Sequence, residues 1–180
     1  MKATGMVRRI DDLGRVVIPK EIRRTMRIRE GDPLEIFTDK DGELIFKKYS
    51  PIGELSDFAS QICDSLKKAT EGIAAVCDRD SIIAISGGAK RELLDKPVSS
   101  ELAHLMEQRS SYCHEQGAAG MPVTGSDERF RVSVAAPVIS EGDVMGAVLF
   151  VNGSEGSSGG EVENKLAQTI ANFLGKQMEA

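Results

Sequence analysis

The first fifty residues alternate short extended runs with turn signals. Apolar residues recur in β-like runs on both sides of two clusters that contain aspartate and glycine, which predicts two hairpins. Between them, Pro19 stands at a first helical position, and Ile22 and Met26 lie four residues apart on one side of a short helix. The predicted elements are strands at 4–10, 15–18, 34–37 and 43–47, turns at 11–14 and 39–42, and a helix at 20–26.

The rest of the chain follows another pattern. Two amphipathic helical segments, at 55–66 and 161–178, bracket the apolar runs. This order of elements predicts an α+β sheet domain with its helices packed on one side of the sheet. Pro51 and Gly53 mark the change of pattern, so we expect domains at 1–50 and 56–180 joined by a linker at 51–55. The predicted strands lie at 73–77, 82–86, 130–137 and 144–151, and shorter helical stretches lie at 90–94 and 99–109.

The first domain is too small to bury much apolar surface by itself. A unit of about 50 residues is marginal as a monomer and often completes its core with a partner chain. We therefore expect an obligate dimer through this region, with the apolar side chains of two copies forming one core. These side chains are Val7, Ile10, Val16, Val17, Ile18, Ile22, Leu34, Ile36, Leu44 and Ile45.

Composition excludes several classes of protein. The chain has 180 residues, of which 41% are hydrophobic and 28% charged, and it contains no apolar run of about 18 residues that could span a membrane. The first residues carry charges but lack the apolar core of a secretory signal. We expect a cytoplasmic protein that has no membrane partner.

The net charge of −5 hides an asymmetry between the two ends of the chain. The first 29 residues hold nine basic and three acidic residues, whereas residues 51–180 hold 11 basic and 19 acidic residues. Charges act over only about 8 to 10 Å in cellular salt, so the local excess of positive charge matters more than the net value. This excess predicts an anionic partner for the first domain.

Arginine dominates the basic residues of the first domain. Its planar guanidinium binds phosphate and guanine edges with two hydrogen bonds, whereas lysine acts as a point charge. Strand alternation would turn Arg8 and Arg9 to opposite faces, so one ligand does not contact every arginine. The candidate DNA-binding residues are Arg8, Arg9, Arg15, Arg23 and Arg24.

The run LGRVVIPKEIR, within residues 1–50, resembles the swapped-hairpin DNA-binding domain of AbrB-type transition-state regulators. In that family two chains interleave their hairpins into a β-rich dimer, and the resemblance implies that the arginines matching Arg8, Arg15, Arg23 and Arg24 face double-stranded promoter DNA. It does not reveal the operator sequence.

The second domain resembles GAF domains. The run APVI at 136–139, followed by GDVMGAVL at 142–149, is similar to their closing hairpin. An AbrB-type head before a GAF-like domain resembles a family of sporulation transcription regulators, activators or repressors according to the promoter. That resemblance implies a tetramer formed by the helices flanking the GAF-like domain. For the domain itself two roles stay open: it senses an unknown small-molecule ligand, or it serves mainly for assembly. The segment at 153–160 is rich in glycine and serine and is expected to be a flexible connector.

Other functions are weaker alternatives. AbrB-like heads also occur on antitoxins, but about 130 further residues with periodic apolar positions predict a folded domain here. Some GAF-like domains resemble methionine sulfoxide reductases, which use paired cysteines, but the three cysteines follow no such spacing. Cys63 and Cys77 are expected to be core residues, and Cys113 is a candidate reactive thiol. His104 and His114 have no neighbours at a metal-binding spacing, and the SGGAK run at 86–90 lacks the ending of a phosphate loop. We expect no enzyme activity, metal or cofactor.

Overall fold

The computed structural model describes residues 5–70, 72–126, 129–153 and 159–179. The chain divides into two compact units, Met1–Tyr49 and Ser50–Ala180, which we call the head and the second unit. The head contains α1 (Lys20–Thr25), β1 (Leu34–Thr38) and β2 (Leu44–Lys48). The second unit contains α2 (Pro51–Glu54), α3 (Ser56–Thr70), β3 (Ile73–Asp78), β4 (Ile82–Ser86), α4 (Lys90–Leu93), α5 (Ser100–Glu107), β5 (Tyr112–Cys113), β6 (Met121–Pro122), β7 (Arg131–Ser140), β8 (Asp143–Asn152) and α6 (Glu161–Gln177).

The head forms one of its two predicted hairpins. Strands β1 and β2 pair antiparallel, with Leu34 opposite Lys48 and Thr38 opposite Leu44. The strands predicted at 4–10 and 15–18 are wrong for the single chain, because residues 5–11 and 15–19 have no regular secondary structure; Thr4 lies outside the described residues. Only the predicted turn between them is closed, by hydrogen bonds between Asp11 and Arg15. Extended segments without a neighbouring strand leave their backbone groups unpaired, so strands here require a partner.

A specific cap ends helix α1. The Ile28 amide donates to the Arg23 carbonyl at 2.7 Å, and the Arg27 amide donates to the Arg24 carbonyl at 3.3 Å. Arg27 adopts the left-handed conformation, with φ of 53°. These two bonds and this conformation constitute the Schellman motif, in which glycine is the usual residue at the left-handed position. The chain therefore turns sharply after α1 and leads into β1.

The segment expected to be a linker is a short helix. Pro51 opens α2, and the Ser50 hydroxyl accepts a hydrogen bond from the Gly53 amide at 3.1 Å as its cap. Ile52 is fully buried in a core cluster of the second unit. Residues 51–54 are thus a helix of the second unit, because an apolar residue between proline and glycine supplies a core contact.

The second unit is built around one antiparallel sheet. The strand order is β4-β3-β8-β7-β5, and β6 also pairs with β7. The strands predicted at 73–77, 82–86, 130–137 and 144–151 correspond to β3, β4, β7 and β8. The pattern missed β5 and β6, because each has only two residues and two residues carry no periodicity.

Both faces of this sheet are buried, so the prediction that helices pack on one side is wrong. One cluster joins α2, α3 and α6 to one face and includes Phe150; the other joins α4 and α5 to the opposite face and includes Leu149. Neighbouring residues of a strand point to opposite faces, so consecutive buried residues require cover on both sides. The α+β class itself is confirmed.

Candidate nucleic-acid interface

All five candidate arginines have exposed side chains. Arg8 and Arg9 lie in the irregular segment before the first turn, and Arg15 follows that turn. Arg23 and Arg24 lie in the last turn of α1, where positive charge interacts favourably with the helix dipole. The guanidinium group stays charged in proteins. The head therefore presents fixed positive charge to solvent on two local structures, the first turn and α1.

The first turn is organised by the carboxylate of Asp11. Oδ1 accepts hydrogen bonds from the backbone amides of Leu13, at 3.0 Å, and Arg15, at 2.7 Å. Oδ2 accepts from Nε of the Arg15 guanidinium at 2.8 Å, and this contact is also an ion pair. The Arg15 amide and guanidinium, followed by the Leu13 amide, lower the pKa of Asp11 below its usual value. The Asp11 carboxylate next to Arg15 is therefore negatively charged at physiological pH.

A buried carboxylate connects the end of α1 to the hairpin. Asp32 accepts a hydrogen bond from the Arg29 amide at 2.9 Å and lies 3.5 Å from the Lys48 ammonium. Lys48 also donates to the carbonyl of Arg27 at 2.9 Å, just beyond the helix cap. Its Nζ atom therefore joins β2 to the segment that carries Arg23 and Arg24. These contacts link the segment that follows α1 to the end of β2.

Sequence patterns predicted the exposed arginines but missed the acidic residues that organise them. Asp11 and Asp32 carry charge of the wrong sign for DNA, so a search for basic residues passes over them. The signal for Asp11 was its position in an aspartate-to-glycine turn, four residues before an arginine. For Asp32 the signal was burial, which the sequence does not report.

The head also exposes an extensive apolar surface. Fifteen large hydrophobic residues are exposed in the described part of the chain, and twelve of them lie in the head. The buried hydrophobic residues of that part all lie at position 52 or beyond. Val7 is 87% exposed and Val17 is 73% exposed. The others in the head are Met6, Ile10, Leu13, Val16, Met26, Ile36, Phe37, Leu44, Phe46 and Tyr49. A surface of this kind marks an interaction site.

The cysteines of the second unit do not form a reactive pair. Cys63 lies in the cluster on the α3 side of the sheet and Cys77 in the cluster on the opposite side. Burial raises the pKa of each thiol to about 12, which keeps both protonated. Cys113 is exposed, and its thiol lies 3.5 Å from the carbonyl of Gly159. Among the described residues, no group of three His, Cys, Asp or Glu side chains is placed to hold a metal ion.

An open groove lies between α6 and β7, next to the loop that follows α5. Its volume is about 320 Å³. Pro137 and Ile139 contribute apolar surface, and Arg109 and Asn172 contribute polar groups.

Comparison with known proteins defines the class. A family profile described as stage V sporulation protein T C-terminal, transcription factor, matches residues 54–179. A profile described as antidote-toxin recognition MazE, bacterial antitoxin, matches residues 7–54. No helix of the described residues is both long and apolar enough to cross a membrane.

Individual relatives agree with this class. The chain is 52% identical over 179 residues to stage V sporulation protein T of Bacillus subtilis, covering 99% of both chains. It is 52% identical over 75 residues to the transition state regulatory protein AbrB of Bacillus subtilis, covering 38% of this chain and 71% of AbrB. The PixJ GAF domain of Thermosynechococcus elongatus aligns with a TM-score of 0.56 at 12% identity, covering 73% of this chain and 89% of that domain, which shows a shared fold.

The chain therefore belongs to the stage V sporulation protein T family of transcription factors. The predicted likeness to an AbrB-type head and a GAF-like domain is confirmed. The antitoxin profile covers only the head, and the match over the full chain favours the transcription factor over the antitoxin and the reductase.

Proposed function

We propose that this protein regulates sporulation genes by binding double-stranded promoter DNA through paired heads. The observation that carries the proposal is the combination, in one unit, of exposed arginines and an apolar surface without a buried core. It is supported by the full-length similarity to a sporulation protein and by the 52% sequence identity to AbrB over 75 residues. The protein acts in the cytoplasm, where promoter DNA is available, and has no catalytic step.

The heads of two chains form one dimeric DNA-binding domain. Each buried square ångström of apolar surface contributes about 25 cal/mol, so covering side chains such as Val7 and Val17 stabilises the pair. The irregular segments at 5–11 and 15–19 become strands when the partner chain supplies their hydrogen-bonding neighbours. Pairing doubles the five arginines, Arg8, Arg9, Arg15, Arg23 and Arg24, and arranges them about a two-fold axis.

Helices α3 and α6 assemble two dimers into a tetramer. Phe58 of α3 and Phe173 of α6 contact each other, with ring centroids 6.0 Å apart. Phe173 is 43% exposed, and Val162, near the start of α6, is 61% exposed. Because both helices already pack on the sheet with their buried faces, these remaining apolar groups are available to another chain.

The second unit also binds a small molecule that adjusts DNA binding. The groove between α6 and β7 supports this part of the proposal, because Arg109 provides a cation for an anionic group and Pro137 and Ile139 provide apolar contacts. Native mass spectrometry of the purified protein, with and without a promoter fragment, measures bound ligand and oligomer size together. A tetramer without bound mass would remove the sensing role and leave assembly.

Substitution of the arginines tests the DNA-binding function. Arg15→Ala and Arg23→Ala should each lower affinity for a promoter duplex by roughly 30-fold or more, since each arginine contact is worth about 1 to 3 kcal/mol and occurs twice in a dimer. Lys40→Ala, which removes a positive charge from the other turn of the head, is the matched control. Circular dichroism and light scattering check that fold and oligomer are retained; unchanged affinity in folded variants would contradict the assignment.

Salt dependence provides an independent measurement. If a dimeric head contacts about 6 to 10 phosphates, affinity should fall roughly 10³- to 10⁵-fold between 50 and 200 mM salt. A nearly flat response would remove the electrostatic basis of the proposal.

A further inference from the structure

We propose that Asp11 is a positioning residue for DNA recognition, which holds the Arg15 guanidinium so that its two Nη nitrogens face the DNA. The inference rests on the proposed function and assigns a role to a residue whose charge repels DNA. Its basis is the geometry of the first turn, where one carboxylate binds both the backbone and the side chain of Arg15.

The contact with Arg15 uses one edge of the guanidinium. Asp11 Oδ2 accepts the hydrogen bond from Nε, at 2.8 Å. A guanidinium has five N–H donors, and one N–H of each Nη nitrogen lies on the end of the group that is opposite Nε. Binding through Nε therefore leaves the end of the fork available for two acceptors at once, such as guanine O6 and N7 or two phosphate oxygens.

The ion pair contributes little as a stabilising interaction. The Arg15 side chain is 69% exposed and that of Asp11 is 36% exposed, and exposed pairs of this kind have a median contribution near zero. Its effect is to restrict a long side chain. An unrestrained arginine loses much rotamer freedom when it binds DNA, whereas a restrained one has lost part of it already.

A second turn in the same head separates the role of the aspartate from that of the arginine. At 39–43 the Gly42 amide donates to the Asp39 carbonyl at 3.3 Å and the Asp39 amide donates to the Glu43 carbonyl at 3.1 Å; the equivalent bonds at 11–15 are both 3.0 Å. Asp39 Oδ1 likewise accepts from an amide two residues later, that of Asp41. The position equivalent to Arg15 is Glu43, so this turn forms without an arginine. The guanidinium contact of Asp11 is therefore an addition to the turn and not a requirement of it.

Three single variants isolate this addition. Asp11→Asn weakens the hydrogen bond from Arg15 Nε and removes one negative charge. Asp12→Asn removes the same charge from the adjacent exposed residue, whose carboxylate makes no hydrogen bond or ion pair within the described part of the chain. Asp39→Asn makes the same change in the equivalent turn, where no arginine is held.

The wild-type protein is first used to select a DNA duplex from a random library. The affinity of each full-length variant is then measured for this selected duplex and for an unselected duplex. Relative to Asp12→Asn, we expect Asp11→Asn to bind the selected duplex roughly 5- to 150-fold more weakly, because two arginines per dimer lose their restraint. Asp39→Asn should bind as the wild type does, apart from the general gain from lost negative charge. A loss confined to the selected duplex identifies a base edge as the acceptor, and an equal loss on both identifies phosphate.

Two results would overturn the proposal. Equal affinities of Asp11→Asn and Asp12→Asn would mean that Asp11 acts only through its negative charge. A higher affinity of Asp11→Asn would mean that the Asp11 carboxylate competes with DNA for Arg15. A double-mutant cycle guards against a folding artefact: in an Arg15→Lys background, Asp11→Asn should have no more effect than Asp12→Asn. If the wild-type protein itself shows no salt-dependent DNA binding, the proposed function fails. That result is distinct from the two results for Asp11→Asn that would overturn the role of Asp11.

Discussion

The two units of this chain use apolar side chains in opposite ways. In the second unit the apolar residues fill two clusters on the two faces of one sheet, with side chains such as Phe150 and Leu149 almost completely buried. In the head, most large apolar residues remain exposed within one chain. A sequence of about 50 residues cannot cover its own apolar surface, whereas about 130 residues can. The second unit thus has a core of its own, whereas the described part of the head exposes most of its large apolar side chains.

The largest expected effect comes from a charge in the apolar surface of the head. Val17→Asp would place an unpaired carboxylate in the core of the proposed dimer, which costs several kcal/mol, so we expect DNA binding to weaken by at least about 100-fold. The second unit should keep its circular dichroism signal and its unfolding transition. Val17→Ile, which retains an apolar side chain of similar shape, is the control. Normal DNA binding by Val17→Asp would mean that the head completes its fold alone.

A truncation in the core of the second unit should have the next largest effect. Phe150 is 2% exposed, and Phe150→Ala is expected to lower the free energy of unfolding by about 3 to 5 kcal/mol. Phe46→Ala in the head removes a side chain that is 41% exposed in one chain, so its effect should appear mainly as weaker pairing that higher protein concentration restores. Urea titrations at two protein concentrations distinguish the two variants. If the stability of Phe150→Ala depended on protein concentration and that of Phe46→Ala did not, the contrast between the two units would be contradicted.

The elements of the second unit could be predicted from sequence more accurately than those of the head, because only the second unit has a core within one chain. Apolar periodicity located β3, β4, β7, β8 and α6 within a few residues, because each of these elements packs on a core made by its own chain. It did not predict that both sheet faces are covered, since a run such as Ala147–Val151 is compatible with either arrangement until the helices are placed. The strands expected at 4–10 and 15–18 are not formed, since the described residues at 5–11 and 15–19 have no strand beside them to pair with.

The candidate site shows a similar limit. Charge and residue type pointed to Arg8, Arg9, Arg15, Arg23 and Arg24, and their exposure agrees with that hypothesis. The contacts of Asp11 and Asp32 could not be predicted, because they depend on atoms brought together by a turn and by the packing of a strand end. Candidate binding residues can thus be predicted from sequence more easily than the residues that position them.

Glycines distinguish the units at a smaller scale. Gly146 lies against the backbone of β3, where an added methyl group would collide with the Cys77 carbonyl, so Gly146→Ala should cost about 1 to 3 kcal/mol. Gly14 lies in open space with φ of 76°, so Gly14→Ala should cost only about 1 to 2 kcal/mol through backbone strain. Gly153→Ala, in open space without a positive φ, is the control and should stay within about 0.5 kcal/mol. Thermal unfolding measures all three, and a neutral Gly146→Ala would show that β3 and β8 can separate.

The smallest expected effect concerns the thiols of the second unit, and it tests whether its two clusters are closed to solvent. Cys113 is exposed and should react with a thiol reagent in the native protein, whereas Cys63 and Cys77 should react only after unfolding. Their folded pKa values are raised to about 12, so the stability they contribute is fully present below the ordinary thiol pKa of 9 and falls as pH rises above it. Unfolding free energies at pH 8 and pH 10 should therefore differ less in a Cys63→Ala/Cys77→Ala variant than in the wild type. Rapid labelling of all three thiols at neutral pH would show that the second unit opens as readily as the head, and the contrast between the units would then lose its basis.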